Sequence, residues 1–202
     1  MDSESMLHSQ QIYFCNDEAL VEQQTQCLEV LYDYNQTRPS ESEKRTEILR
    51  RLLGAVGDNC YFEPPLRANW GRHTYVGDNV YANLTLVDDT YIYIGNSVMI
   101  GPNVTLATAG HPVEPELRRE VAQFNIPIHI GANVWIGANS VVLPGVKIGE
   151  NSVIGAGSVV TKDIPSNVVA VGNPCRVLRE IGEHDKEFYY KERQITHNMY
   201  QR

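Results

Sequence analysis

The chain has 202 residues, 42% of them hydrophobic, with a formal net charge of -8 and a pI near 5.2. That length suits one large domain or a domain with an appendage, and the acidic balance argues against a general nucleic-acid binder, which needs a basic surface. No apolar run nears the roughly 18 residues of a membrane span, and the four cysteines, at 15, 27, 60 and 175, follow no apolar leader and show no CxxC spacing, so a reducing, cytoplasmic setting without a membrane partner or structural zinc is expected.

In chain order, residues 17 to 35 carry Leu20, Cys27, Leu28, Leu31 and Tyr34 at three- and four-residue spacing, with Asn16 or Asp17 as N-cap, which predicts an amphipathic helix. Asn35 to Pro39 breaks it. Ser40 to Glu43 reads as a capping box ahead of Ile48, Leu49, Leu52, Leu53 and Val56, a second helix ending near Gly54 or Gly57. Residues 1-59 are therefore expected to form a helical segment that caps or covers the first turn of the β region.

From Cys60 the helical period vanishes. Large aliphatic residues return every sixth position at Ile130, Ile136, Val142, Ile148, Ile154 and Val160, with Gly next at 131, 137, 149 and 155. Earlier hexads start at Val76, Ile94 and Ile100, followed by Leu106. A period of six is neither the 3.6 of a helix nor the 2 of a strand. It is a signature of a parallel β-helix, in which three short strands and three turns close one triangular coil and stacked coils pair their backbones along the axis. Residues 60-172 are assigned to it. Residues 112-127 fit the hexad poorly and contain three prolines, so they are expected to be a loop extruded from the prism. Val168 to Val171 reads as a last strand, Cys175 to Glu183 as a short helix or extended cap, and 173-202 as a C-terminal cap or tail.

On these residues the chain resembles a family. Tyr81-Ala-Asn83, Val87-Asp-Asp89, Gly110-His-Pro112, Asn133-Val-Trp-Ile-Gly137, Pro144 to Gly149, Asn151 to Pro165 and Gly172 to Cys175 are together similar to the galactoside and maltose O-acetyltransferases, which are hexapeptide-repeat acyltransferases. The resemblance implies a left-handed parallel β-helix, a homotrimer, and transfer of acetyl from acetyl-CoA to a sugar hydroxyl without a metal. The left hand is unusual, because crossovers between parallel strands are otherwise right-handed.

Alcohol attack on a thioester needs a base, since a neutral hydroxyl is a weak nucleophile near neutral pH, and histidine suits that role. The resemblance assigns it to His111. A lone loop histidine beside proline would otherwise read as packing; the surrounding motif reverses that. His73 and His129 are expected to face outward, and His8, His184 and His197 to be solvated. By match, Asn83 lies beside acceptor and thioester, Asp89 and Asn69 contact the acceptor, and Tyr81 packs on the sugar. A carboxylate accepts charge-assisted hydrogen bonds from hydroxyls.

The donor groove, by match, runs through Asn83, Trp135, Ala138, Ala156, Thr161 and Lys162 to Arg176 and Arg179 at the phosphates, with a backbone N–H near Ala138 facing the oxyanion. The chain departs from the family at Cys15, where Asp is common, at Gln24 for Arg, at Ala138 for Ser, and in being two residues shorter between Tyr81 and Asp89. A γ-class carbonic anhydrase would need a His-x₄-His pair, which is lacking.

Overall fold

The structure is a computed structural model, and it describes residues 3–14 and 18–196. It is a left-handed parallel β-helix closed at its N-terminal end by helices. A first face stacks Ala55–Val56, Thr74–Val76, Ile92–Ile94, Ile128–Ile130 and Lys147–Ile148 in parallel. A second stacks Tyr61–Phe62 and the starts of Tyr81–Val87 and Met99–Ala107 on Trp135–Ile136, Val153–Ile154 and Val168–Val171. The third stacks Arg67–Ala68 and the ends of those two long strands on Val141–Val142 and Val159–Val160.

The period of six places one aliphatic column inside each face. Val76, Ile94, Ile130, Ile148 and Ile164 form the first, Phe62, Ala82, Ile100, Ile136, Ile154 and Ala170 the second, and Ala68, Leu86, Leu106, Val142 and Val160 the third, all buried in one core. The turns divide two backbone demands between two residue types. Asn133, Asn139 and Asn151 take the left-handed conformation, with φ between 56° and 59°, and Asn133 Nδ2 donates to Asn151 Oδ1 of the next coil at 3.0 Å. Glycine after the aliphatic answers close approach instead: a Cβ on Gly137 would stand 2.5 Å from Ala156 N.

The helices cover the open first coil. After α1 (Ser3–Leu7) come α2 (Glu18–Asn35) and α3 (Ser42–Leu52), whose Leu31, Tyr34, Ile48, Leu49 and Leu52 join the same core. Asn35 locks α2 to the coil, donating to Leu66 O and accepting from Leu66 N, both at 2.8 Å. The expected capping box at Ser40 does not form. The turn closes on Glu41, whose carboxylate accepts from Arg38 N at 2.7 Å, and the helix starts one residue later. Among the described residues no helix is long and apolar enough to cross a membrane.

The extruded loop has more internal order than expected, and of the short helix or extended cap expected after Cys175 the extended form is found. Residues 112–127 hold α4 (Pro115–Arg119) and a strand, Ala122–Asn125, that pairs antiparallel with Ala109–Gly110 on one side and Tyr13–Phe14 on the other. Ala122 and Asn125 are buried, and this pairing absorbs backbone groups that an open loop would leave to water. After Cys175 the chain is extended: Arg176–Glu180 runs antiparallel to Val168–Val171, before α5 (Glu183–Glu187) and the pair Phe188–Tyr190 and Arg193–Gln194.

Candidate functional site

Face and register place the sequence-predicted residues on two different edges of the prism. One edge, between the third and first faces, is where the hairpin of Ala109–Gly110 and Ala122–Asn125 leaves the coils, and we term it the loop edge. Asn69, Asp89, His111, Thr161 and Lys162 lie along it, because each follows a third-face strand: 67–68, the end of 81–87, the end of 99–107, or 159–160. The other edge joins the second and third faces and carries Asn83, Ala138 and Ala156. Trp135 and Tyr81 stand on the second face beside it, both exposed. A whole face separates the two groups within one chain.

His111 is exposed at the foot of the hairpin, and its Nδ1 lies 2.8 Å from Ala122 O. A carbonyl oxygen only accepts, so Nδ1 carries the proton and Nε2 holds the lone pair. The neighbouring strand thus selects the tautomer that can take a proton at Nε2.

The Asp-Asp pair is divided between two tasks. Asp88 is completely buried and accepts from Asn69 N at 3.0 Å, Trp70 N at 2.9 Å and Thr74 Oγ1 at 3.1 Å. Asp89 is half-buried and accepts from Asn69 Nδ2 at 2.8 Å. The turn at Asn83 is also shorter than the one stacked on it. Three residues, 101–103, bridge Ile100 and Val104, whereas Asn83 alone bridges the paired Ala82 and Leu84. Register is regained by Val87 opposite Ala107, so the short turn at Asn83 leaves the ends of the two strands aligned.

His73 does not face outward. It is 3% exposed, its Nδ1 donates to Asp88 O at 2.8 Å, and burial brings its pKa down to about 4. His8 is not simply solvated either: it is half-buried, stacked on Tyr91 at 4.1 Å, with Nδ1 2.8 Å from Thr90 Oγ1. His129 is exposed and stacks on Tyr93. His197 and Cys15 lie outside the described residues.

These buried groups have opposite consequences for stability. The folded chain leaves His73 unprotonated between about pH 4 and its ordinary value near 6.5, where the unfolded chain binds a proton, so His73 adds stability as pH rises through that window. For Asp88 burial raises the pKa to about 7, against the lowering effect of the Trp70 N and Thr74 hydrogen bonds. The folded chain then keeps a proton that the unfolded chain has lost, and stability falls as pH rises from about 4 to about 7. D88N deletes only the second effect. Urea midpoints measured against pH should give a D88N-minus-native stability difference that rises across that window; a flat difference would mean Asp88 titrates as an ordinary carboxylate.

On the opposite edge, Glu63 bonds to two of the predicted residues, a contact that no motif announced. Its Oε2 accepts from Tyr81 OH at 2.8 Å and from Asn83 Nδ2 at 3.3 Å, and these two bonds hold its own carboxyl below the usual range. At the C-terminal end Arg176 is exposed, whereas Arg179 makes a two-point ion pair with Asp185, both contacts at 2.7 Å. Ala138 O accepts from Gly157 N at 2.8 Å, stacking the turns that carry Ala138 and Ala156.

Comparison with known proteins agrees with this architecture. Residues 7–57 match the maltose acetyltransferase hexapeptide capping motif, and residues 127–162 match the bacterial transferase hexapeptide (six repeats). The galactoside O-acetyltransferase of Lactococcus lactis is 50% identical over 192 residues, 94% of this chain and 93% of that protein. That of Escherichia coli is 49% identical over 184 residues, 90% and 91% of the two chains. A solved structure of a galactoside acetyltransferase in complex with coenzyme A superposes with a TM-score of 0.94 at 45% identity, covering 97% of this chain and 99% of that one.

Proposed function

Because the chain belongs to the galactoside and maltose O-acetyltransferases of the hexapeptide-repeat family, and is an acetyl-CoA-dependent acetyltransferase, we propose that it acetylates a sugar hydroxyl with His111 as general base. The observation that carries the proposal is the bond between His111 Nδ1 and Ala122 O. It leaves Nε2 basic on the edge that also holds Asn69 and Asp89.

In the reaction so proposed, the acceptor hydroxyl lies against Asp89 and Asn69, whose mutual hydrogen bond presents a fixed pair of polar groups. Nε2 takes the hydroxyl proton as the sugar oxygen forms its bond to the thioester carbonyl carbon. The carbonyl oxygen gains negative charge, which a backbone N–H near Ala138 would stabilise. Collapse of the tetrahedral intermediate breaks the carbon–sulfur bond, and the imidazolium returns its proton to the departing thiolate. The products are the acetyl ester and free coenzyme A. The family's serine hydroxyl is missing at Ala138, so the oxyanion depends on backbone donors alone. Trp135, Ala138 and Ala156 would line the pantetheine, and Thr161, Lys162, Arg176 and Arg179 the phosphates.

The separation of His111 from Asn83 and Trp135 within one chain supports a homotrimer, in which the loop edge of one copy meets the opposite edge of the next. The in-register column of Tyr61, Tyr81, Met99 and Trp135 gives that assembly an apolar strip to cover, each residue being between 41% and 51% exposed.

The test is a panel of galactosides, maltose, glucose, serine and an aromatic alcohol incubated with acetyl-CoA, following release of free thiol. Saturable release with a galactoside, maltose or glucose is expected. Release confined to serine or to the aromatic alcohol would overturn the sugar assignment.

A further inference from the structure

We infer that Asn125 is a positioning residue for the reaction, a buried amide that holds the His111 hairpin in register with the acceptor side of the loop edge. It is 1% exposed. Its backbone pairs with Ala109, two residues before His111, and its side chain reaches three other segments. Nδ2 lies 3.0 Å from Leu7 O at the end of the first helix, 2.9 Å from Tyr13 OH in the N-terminal strand and 3.4 Å from Asp89 O. Oδ1 accepts from Gln123 Nε2 at 2.8 Å.

The chemistry requires an amide there. Leu7 O and Asp89 O are carbonyls and can only accept, while Gln123 Nε2 can only donate, so the central side chain must offer donors on one side and an acceptor on the other. A buried polar junction with one member removed deprives those carbonyls of this donor, and the hairpin, still paired through its main chain to Ala109–Gly110 and Tyr13–Phe14, loses the side-chain bonds that set its distance from Asp89. The hairpin carries His111 and its tautomer-selecting bond to Ala122, so a shift there moves Nε2 relative to Asp89. Misplacement of a base by about 1 Å costs on the order of 10²-fold in rate.

The inference rests on His111 being the base. Two variants test it, assayed beside H111A with the fastest acceptor among methyl galactoside, maltose and glucose, with thermal midpoints recorded for each. N125L keeps roughly the shape and deletes every side-chain bond; its kcat/KM for the acceptor should fall by about 10–100-fold while KM for acetyl-CoA changes less than about threefold. N125D keeps one donor only while its carboxyl is protonated. The titratable groups on the segments it touches are Tyr13, Asp89 and, next to Leu7, His8, whose pKa burial lowers, and among the described residues no Lys or Arg side chain bonds to Asn125. N125D should therefore approach native activity near pH 5 and resemble N125L near pH 8, in its ratio to the native enzyme at each pH.

A merely structural asparagine would move thermal midpoint and both KM values together and give an N125D ratio independent of pH; that result overturns the inference. If N125L does not fold, the N125D ratio still decides. H111A distinguishes the two failures: full turnover in H111A removes the base and the role of Asn125 with it, whereas an inactive H111A beside a flat N125D ratio removes Asn125 alone.

Discussion

H111A should lose turnover by about 10²–10⁴-fold, the usual contribution of a positioned general base, with KM for acetyl-CoA and oligomer size close to native. The split between kcat and KM is the informative part. His111 follows a third-face strand and is exposed, so its side chain is not part of the aliphatic core, and its one hydrogen bond to Ala122 O is worth roughly 1 kcal/mol. Truncation should therefore leave the thermal midpoint nearly unchanged while abolishing proton removal from the acceptor. H111N refines the result. Asn can still donate to Ala122 O, but it has no nitrogen lone pair to serve as base, so it should be as inactive as H111A. Turnover retained by both variants would transfer the proton to some other group and withdraw the general-base reaction.

The second large effect is expected from a single methyl group. A Cβ on Gly137 would meet Ala156 N at 2.5 Å, Ala156 Cα at 2.8 Å and Gly155 C at 3.0 Å, all main-chain atoms of the next coil. No side chain can rotate away, so G137A has to open the coil stacking, at a cost of about 1–3 kcal/mol or more. Gly131 offers a matched control. A Cβ there would meet Glu150 N at 2.6 Å, an equivalent clash on the edge between the first and second faces, where no predicted site residue lies. Both variants should lower the urea midpoint by similar amounts. Only G137A, which adjoins Ala138 and faces Ala156, should also raise KM for acetyl-CoA. Equal KM values for the two variants would remove the Ala138 turn from the donor groove.

The aliphatic columns are legible in the sequence because a hexad repeat projects one residue per strand inward, and no regular helix or isolated strand shares that period. Ile130, Ile136 and Val142 therefore announce three faces, and the motif around His111 announces its chemistry. Polar residues carry no comparable period. Nothing local distinguishes Asp88 from Asp89, since they are identical neighbours at a strand end. The difference arises where Asn69, Trp70 and Thr74 converge on the first of them from the preceding coil. His73 departs from its expected outward position for the same reason: its burial is produced by Trp70, His8 and Tyr91, which are distant from one another in sequence or belong to different coils.

By itself the sequence determined the β-helix, its family and the candidate base, because repeats and contiguous motifs are encoded locally. Only the tertiary structure decided that the loop of residues 112–127 carries a short helix and a paired strand, that Asn125 joins four segments, and that the predicted site residues are divided between two edges of the prism. Those outcomes depend on hydrogen bonds between residues as far as 118 positions apart, such as Asn125 to Leu7. Such partners are chosen by the closing of the coils and leave no mark on the spacing of neighbours along the chain.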